Sequence, residues 1–207
     1  MDYKFENYKA DLVDPEMPHS KNKERFQEFY NQLGVCPIQR TQNNPTTDLS
    51  FIVLGGMVLE LGCHCGYNCI EWARKGVSCT GIDVSETLIE FAREKLSAEP
   101  KEVQERVTFI HSFIEDFIPP IQYDTIVLTE TLEHVMSPLP VLIKAKECLR
   151  PGGLLYISSP SVKTGNNSHI RGISSNTMAE LLNSAGLKIV LVQDVAPQVT
   201  TYAIATV

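Results

Sequence analysis

Apolar positions follow two periods that alternate along the chain from Met57 onward. Short apolar runs typical of strands are separated by segments in which apolar residues recur three and four positions apart, as they do in helices. This alternation favours a parallel sheet with helices on both faces. The predicted strands are Met57–Leu61, Val77–Ile82, Arg106–Ile110, Asp124–Leu128 and Leu154–Ser158.

Residues typical of helix ends bound the predicted helices between these strands. Ser85 and Ser174 are expected N-caps, and Gly76 and Gly186 are expected to end helices. A further helix is predicted to start near Pro138 and to stop before the Pro-Gly-Gly sequence at 151–153. Its predicted core-facing residues are Leu139, Leu142, Ile143 and Leu149.

The C-terminal residues break the alternation. Two strand-like runs, Lys188–Gln193 and Thr200–Val207, are separated by a turn around Ala196 and Pro197 that is too short for a helical crossover. They must therefore pair as an antiparallel hairpin. The predicted fold is α/β, with a Rossmann-like seven-stranded sheet, mostly parallel with the last strand antiparallel, and helices on both faces.

The N-terminal segment differs in pattern from the rest of the chain. Residues 1–19 carry Pro15 and Pro18 among charged residues and are expected to be irregular, whereas a helix is predicted after Ser20 and ends at Gly34. This segment is either a packing element or part of a lid over a ligand. The chain is thus divided into an N-terminal arm and helix, 1–48, and one larger domain, 49–207.

Composition sets limits on function. The 207 residues suffice for one α/β domain, and 43% apolar with 21% charged residues is typical of a folded protein. A net charge of −7 argues against nucleic-acid binding, because phosphate contacts depend on clustered Lys and Arg. The longest apolar run, Phe51–Leu61, is interrupted and far shorter than the roughly 20 residues of a membrane span. The polar N-terminus does not resemble a signal peptide, and the reduced thiols expected below favour a cytoplasmic location.

The chain has six cysteines, three of them close together at Cys63, Cys65 and Cys69. Their spacing does not match the paired Cys or His elements of a zinc finger. We expect reduced thiols that fill a tight turn and apolar faces of the fold.

Candidate chemistry is concentrated in the stretch Met57–Ser85. A strand leads through a turn of small residues, Gly62–Gly66, to a helix and a second strand that ends at Asp83. Glycines let the backbone turn sharply and approach a ligand, and the start of the helix offers free N–H groups. An acid at the tip of the second strand is suited to bind both hydroxyls of a ribose. The stretch therefore indicates a nucleotide site.

Four blocks of sequence carry a resemblance to a known family. They are Val58–Gly66, Gly81–Ser85, Tyr123–Val135 and Leu149–Leu154. In content and order they resemble the class I S-adenosylmethionine-dependent methyltransferases, and within them the small-molecule and ubiquinone-biosynthesis-type group (methyltransferase types 11 and 12). The resemblance covers about Leu49–Val207, and its implied fold agrees with the sheet predicted above.

The resemblance implies S-adenosylmethionine as the cofactor and a role for each matching residue. Glu60 and the turn would hold the methionine end, which Thr129 would also face. Asp83 would bind the ribose, and Val84 with the Ile114 amide would meet the adenine. The implied cofactor-binding residues are Glu60, Gly62, Cys63, His64, Gly66, Asp83, Val84, Ile114, Glu115 and Thr129.

Two positions depart from the family pattern. His64 stands at the family's usual middle glycine, and we expect an ordinary φ there, because a positive φ costs a non-glycine residue about 1 kcal/mol or more. Its side chain would then point away from the cofactor or over it. Phe113 stands where an acid often accepts a bond from the adenine amino group. Either Glu115 or Asp116 replaces that acid, or packing and backbone alone hold the adenine.

The methyl acceptor is expected to meet the loop Glu130–His134. Methyl transfer from a sulfonium has a good neutral leaving group, so positioning supplies most of the catalysis. If the acceptor must lose a proton, His134 is the candidate general base and Glu130 the second candidate catalytic residue. The alternative is a structural role, in which the Glu-His pair closes the loop and caps the next helix.

A divalent metal is a further alternative at the same loop. Glu130, Glu133 and His134, with His169 from the segment after the fifth strand, resemble the metal-binding pattern of some quinone and RNA-end methyltransferases. A bound metal would lower the pKa of an oxygen acceptor.

The sequence thus predicts a methyltransferase that moves a methyl group from S-adenosylmethionine to an O, N or C atom of a small-molecule acceptor and releases S-adenosylhomocysteine. The alternative is a catalytically silent S-adenosylmethionine-binding partner subunit. A nicotinamide-dependent oxidoreductase is disfavoured, because the glycines at 62 and 66 lack the G-x-G-x-x-G spacing. The acceptor and the oligomeric state stay open.

Overall fold

A computed structural model describes residues 24, 56–163, 169–195 and 200–207. Apart from Glu24, the predicted N-terminal arm and helix lie outside the described residues, and so do the boundary at residue 49 and the turn at 196–199. None of the described helices is long and apolar enough to cross a bilayer.

The described chain alternates strands and helices. The strands are β1 (Met57–Leu61), β2 (Ser78–Asp83), β3 (Val107–His111), β4 (Tyr123–Thr129), β5 (Leu149–Pro160), β6 (Lys188–Val195) and β7 (Thr200–Thr206). The helices are α1 (Tyr67–Arg74), α2 (Glu86–Ser97), α3 (Lys101–Gln104), α4 (Pro138–Cys148) and α5 (Ser175–Ser184).

The strands form one seven-stranded sheet in the order β3-β2-β1-β4-β5-β7-β6. Strands β1 to β5 pair in parallel, whereas β7 pairs antiparallel with both β5 and β6. The predicted hairpin and the reversed last strand are confirmed. The strand order reverses between β1 and β4, and in open α/β sheets ligands bind at the carboxyl ends of the strands beside such a point.

Alternate residues of the central strands pack into two separate cores. Leu59 and Leu61 of β1 lie in a core with residues of α4 and α5, whereas Val58 lies in a second core with residues of α1 and α2. Strand β4 divides in the same way, with Ile126 in the first core and Val127 in the second. This period of two shows that both faces of the sheet are covered, as predicted.

The predicted helix caps are present. Ser85 and Ser174 each accept a hydrogen bond of 3.4 Å from a main-chain N–H in the first turn of α2 and α5. Gly76 and Gly186 follow α1 and α5 with φ values of 88° and 71°, a left-handed conformation that favours glycine. Local sequence therefore sets these helix ends.

Two elements differ from the prediction. Strand β5 begins at Leu149, directly after α4, and not at Leu154. Its pairing with β4 shifts register between Tyr123 and Thr125, so the Pro-Gly-Gly sequence is accommodated as an irregularity inside the strand. The short helix α3 was not predicted.

The core-facing side of α4 also differs from the prediction. Val141, Leu142, Ala145 and Cys148 are fully buried, whereas Ile143 is 40% exposed, so its inward assignment was wrong. Residues 141–143 are consecutively apolar, and a helix can turn only part of such a run toward one face. Leu149 is buried as expected, but it lies in β5.

The two neighbours in α4 provide a test of this helix face. We expect Leu142→Ala to lower the free energy of unfolding by about 2–5 kcal/mol, because it leaves a cavity in a closed core. Ile143→Ala should cost below about 1 kcal/mol, because much of that side chain already contacts water. Urea denaturation of both variants measures the difference, and equal losses would contradict the assignment of the face.

Candidate active site

The turn after β1 is held by the tip of β2. The main-chain N–H groups of Gly62 and Cys63 both donate to the Ile82 carbonyl, at 2.8 and 2.9 Å. The next N–H, of His64, donates to Oδ2 of Asp83 at 2.8 Å. Three consecutive amides are therefore bound to the last two residues of the neighbouring strand.

His64 adopts a φ of 51°, so the expectation of an ordinary φ was wrong. Histidine is one of the non-glycine residues that occur in the left-handed region. The hydrogen bond from its N–H to the Asp83 carboxylate is charge-assisted and offsets a backbone cost of about 1 kcal/mol or more. The bond requires the turn to curl toward β2, which the left-handed conformation permits.

Two glycines of the turn are required by packing inside the protein. A Cβ at Gly62 would collide with the side chain of Thr131, and one at Gly66 would collide with the ring of Phe109. Both glycines also have positive φ, 83° and 73°. Gly66 thus permits the close approach of a side chain of the protein itself, Phe109.

Glu60 lies beneath the turn and is fully buried. Its Oε1 accepts a hydrogen bond of 2.6 Å from the Asn68 amide, and its Oε2 accepts one of 3.2 Å from the Cys69 thiol. Burial raises the pKa of the Cys69 thiol well above its usual value, so the thiol remains protonated and can donate. The described contacts of Glu60 therefore fix α1 to β1.

Asp83 ends β2 at the carboxyl edge of the sheet. Besides the bond from His64, its Oδ1 accepts a hydrogen bond of 2.9 Å from the Ser85 N–H. The two amides fix the orientation of the carboxylate at the carboxyl end of β2. The next carbonyl, of Val84, lies 3.1 Å from Nε2 of His111, a contact that the sequence did not predict.

The residues predicted to meet the adenine lie beside Asp83. His111 pairs with Asp83 across β3 and β2, and the Ser112 N–H donates to the Asp83 carbonyl at 3.0 Å. The turn that follows carries Ile114, which is buried, and Glu115, which is half-buried. The predicted ribose and adenine residues therefore lie at adjacent strand ends.

The loop after β4 is bonded to the end of β1. The Thr131 hydroxyl lies 3.1 Å from the Leu61 carbonyl and 3.0 Å from the Thr129 carbonyl. Thr129 itself is buried, and its Oγ1 has no hydrogen-bond partner among the described residues. The two loops that carry the predicted cofactor and acceptor residues thus meet at the switch point of the sheet.

Glu130 is directed toward β5 and β7. Its φ is 50°, its N–H donates to the Ser158 carbonyl at 2.9 Å, and its Oε1 accepts a bond of 3.3 Å from the Ser158 hydroxyl. Burial, and then the charge of Glu130, raise the pKa of Tyr202 on β7. Strand β5 therefore holds the Glu130 carboxylate, whose charge lies near Tyr202 of β7.

Three other side chains converge in a buried cluster, which we call the Glu-His cluster: Glu133, His134 and His169. Each of the three side chains offers one atom that could bind a metal, and these three atoms all lie within 4.8 Å of one another. Glu130 does not belong to this group among the described residues. His134 Nε2 lies 3.7 Å from Glu133 Oε1, and the two imidazole rings meet edge to face at 4.7 Å. The Ser159 hydroxyl donates to Glu133 Oε2 at 3.0 Å.

The sequence predicted the members of the cluster but not the two serines that bond to the carboxylates of Glu130 and Glu133. Ser158 and Ser159 are fully buried at the end of β5. A pair of small polar residues at the end of an otherwise apolar strand was the available signal. Glu133 and His134 are brought to His169 by the pairing of β4 with β5, which places the loops after both strands at one edge.

Comparison with known proteins agrees with this geometry. Residues 59–155 match a family model described as a methyltransferase domain. The mitochondrial ubiquinone biosynthesis O-methyltransferase of Schizosaccharomyces pombe is 34% identical over 52% of this chain and 39% of its own length. The ubiquinone biosynthesis O-methyltransferase of Actinobacillus pleuropneumoniae is 32% identical over 62% of this chain and 53% of its own length. The chain thus spans about half or less of these curated relatives.

A solved structure shares the fold. The glycopeptide N-methyltransferase MtfA, in complex with S-adenosyl-L-homocysteine, superposes with a TM-score of 0.67 at 13% identity, over 78% of this chain and 85% of that one. The matched domain and the aligned relatives agree with the resemblance that the four sequence blocks carry. Over residues 59–155 the chain matches a methyltransferase domain, and it resembles the class I S-adenosylmethionine-dependent methyltransferases.

Proposed function

We propose that the chain transfers a methyl group from S-adenosylmethionine to a hydroxyl oxygen of a small phenolic acceptor. One observation carries the proposal: the loops after β1 and β4 meet across the point where the strand order reverses. The first loop carries a nucleotide-type turn beside Asp83. The second carries Glu133 and His134 of the buried Glu-His cluster.

The cofactor side offers groups for each part of S-adenosylmethionine. Among the described residues no side chain caps the start of α1, so its first N–H groups suit the methionine carboxylate. The buried Thr129 hydroxyl, without a partner among the described residues, suits the polar methionine end. The Asp83 carboxylate, at the carboxyl end of β2, suits the ribose hydroxyls, and Val84 with the segment 114–115 lies where the adenine would follow.

An oxygen acceptor is favoured by the two curated relatives, whose names state O-methylation in ubiquinone biosynthesis. Methylation of an oxygen on the way to a quinone acts on a ring hydroxyl. As the new O–C bond forms and the C–S bond breaks, the hydroxyl proton must leave. His134 can accept that proton at a ring nitrogen, and the Glu133 carboxylate at 3.7 Å stabilises the resulting imidazolium.

We further propose that the Glu-His cluster binds a divalent metal ion. Two imidazoles and a carboxylate are ligand types that Zn²⁺ accepts, and Ser159 already orients the carboxylate, as outer partners of metal ligands commonly do. When bound, the ion would lower the pKa of the acceptor hydroxyl. His134 would then be a ligand, and the proton would leave an already acidified oxygen.

We expect the Asp83 carboxylate to contribute most of the polar affinity for the ribose. Asp83→Asn should weaken binding of S-adenosylhomocysteine by about tenfold or more, since hydrogen bonds to a charged group contribute about 1.5–3 kcal/mol. His64→Gly should change the affinity by less than about threefold, because the His64 contact with Asp83 is made by the main-chain N–H, which glycine keeps. Titration calorimetry measures both, and a tenfold loss in His64→Gly would reveal binding by its side chain.

We expect purified protein to transfer labelled methyl from S-adenosylmethionine to phenolic acceptors in preference to matched aromatic amines. His134→Gln should lower kcat by about 100-fold or more, because it removes either the base or a metal ligand. Its affinity for S-adenosylhomocysteine should change less than about twofold, since His134 lies on the acceptor side.

Two outcomes of this assay would count against the proposal. Transfer to amines but not to phenols would contradict an oxygen acceptor. Tight binding of S-adenosylhomocysteine without transfer to any acceptor would favour a catalytically silent S-adenosylmethionine-binding partner subunit.

A chelator separates the two roles of His134. We expect activity to fall at least about tenfold after dialysis against EDTA and to return on addition of Zn²⁺ or Mg²⁺, because the ion lowers the barrier to proton loss. Binding of S-adenosylhomocysteine should be unchanged in the same samples. Full activity in EDTA would exclude the metal and leave His134 as the general base.

A further inference from the structure

The segment after β5 is bound to the loop after β4 by one guanidinium group. Nη1 of Arg171 donates to the carbonyls of Leu132 and Val135, at 3.2 and 2.5 Å, and Nη2 donates to the carbonyl of Met136 at 2.9 Å. The preceding N–H, of Ile170, donates to the Glu133 carbonyl at 2.9 Å. Two adjacent residues thus bind four of the five carbonyls at positions 132–136.

This contact constrains the direction of the loop. Residues 131–137 form turns and bends without a regular hydrogen-bond ladder, so their carbonyls need partners from elsewhere. A guanidinium is planar and rigid, with donors fixed in a fork. To bind it, three carbonyls must point toward one place, which fixes the peptide planes on both sides of Glu133 and His134.

The same segment carries the third member of the Glu-His cluster. His169 lies two residues before Arg171, and its ring contacts the His134 ring edge to face. Arg171 therefore connects the two chain segments whose side chains make up the cluster. Its hydrogen bonds to this loop are with main-chain carbonyls, whereas the acceptor is proposed to meet side chains.

We infer that Arg171 is a positioning residue of the acceptor site: its guanidinium sets the mutual placement of Glu133, His134 and His169. The expected effect of Arg171 on catalysis rests on the proposed function. The placement itself can be measured in the protein without cofactor, metal or acceptor. Lysine cannot replace this arginine fully, because an ammonium is a point donor and cannot span three carbonyls in one plane.

The first measurement is proton NMR of the histidine C2 protons in the unliganded protein, assigned with His134→Gln and His169→Gln. The edge-to-face contact predicts a ring-current shift for one ring in the wild type. Arg171→Ala should remove this shift, and Arg171→Lys should reduce it. The matched control is Arg106→Ala, which removes a guanidinium bonded to the Gly76 carbonyl at 3.1 Å, near the opposite edge of the sheet. The shift should persist in this control.

The second measurement compares the change in kcat with the change in KM for S-adenosylmethionine. Arg171→Ala should lower kcat by about 10–100-fold, as loss of an outer positioning partner commonly does, with KM for S-adenosylmethionine within about twofold. Millimolar guanidinium ion should restore part of kcat in Arg171→Ala and none in Arg106→Ala. If Arg171→Ala does not fold, the ring-current shift and kcat are measured in Arg171→Lys, and a reduction of both supports the role of Arg171.

The outcomes are distinguishable from failure of the proposed function. Loss of the ring-current shift in Arg171→Ala supports the positioning role whether or not the protein transfers methyl. If neither the wild type nor any variant transfers methyl to an acceptor, that result counts against the proposed function alone. A retained shift together with kcat within about twofold of wild type would overturn the role of Arg171.

Discussion

The binding of three consecutive amides to the tip of β2 is the constraint on which the candidate site depends. One carbonyl, of Ile82, and one carboxylate, of Asp83, accept all three N–H groups of residues 62–64. No regular strand or helix presents successive amides in this way, so the backbone must curl, with positive φ at both ends of the set. The curl leads the chain directly into α1, whose start is not capped by a side chain in the part of the protein that the structure describes. The position of the Asp83 carboxylate and the start of α1 are therefore set together.

The second loop depends on the first through the sheet. Because β1 and β4 are neighbours, the loop after β4 can bond to the end of β1, and Thr131 does so over the face of Gly62 that lacks a side chain. From there the loop is held on its other side by β5 and the segment that follows, through Ser158, Ser159 and Arg171. The end of β1, the end of β5 and the segment after β5 thus hold one short stretch of chain through polar contacts. A rigid scaffold that carries irregular loops is what a site needs when catalysis depends on positioning.

Local signals in the sequence predicted the features that are set locally. Ser85 and Ser174 cap helices through their own first turns, and the short link between the last two strands leaves only an antiparallel pairing. The errors have a common physical origin in contacts between distant residues. The φ of His64 is offset by a hydrogen bond to a residue 19 positions away, and β5 extends past a Pro-Gly-Gly sequence because β4 offers a partner strand. Ile143 was placed in the core because sequence alone does not show which part of an apolar run a helix turns inward.

Glu60 shows how a residue can serve a ligand site without an evident free group for the ligand. A fully buried carboxylate is costly unless hydrogen bonds compensate it, and here the first turn of α1 supplies two donors. Its negative charge also lies at the amino end of that helix, where the helix dipole favours it. The charge thus draws the start of α1 against β1, and the turn between them has little freedom left. Asp83 closes the same turn from the side of β2. Two carboxylates on adjacent strands therefore fix one turn from two directions, Glu60 from beneath it and Asp83 from the edge of the sheet.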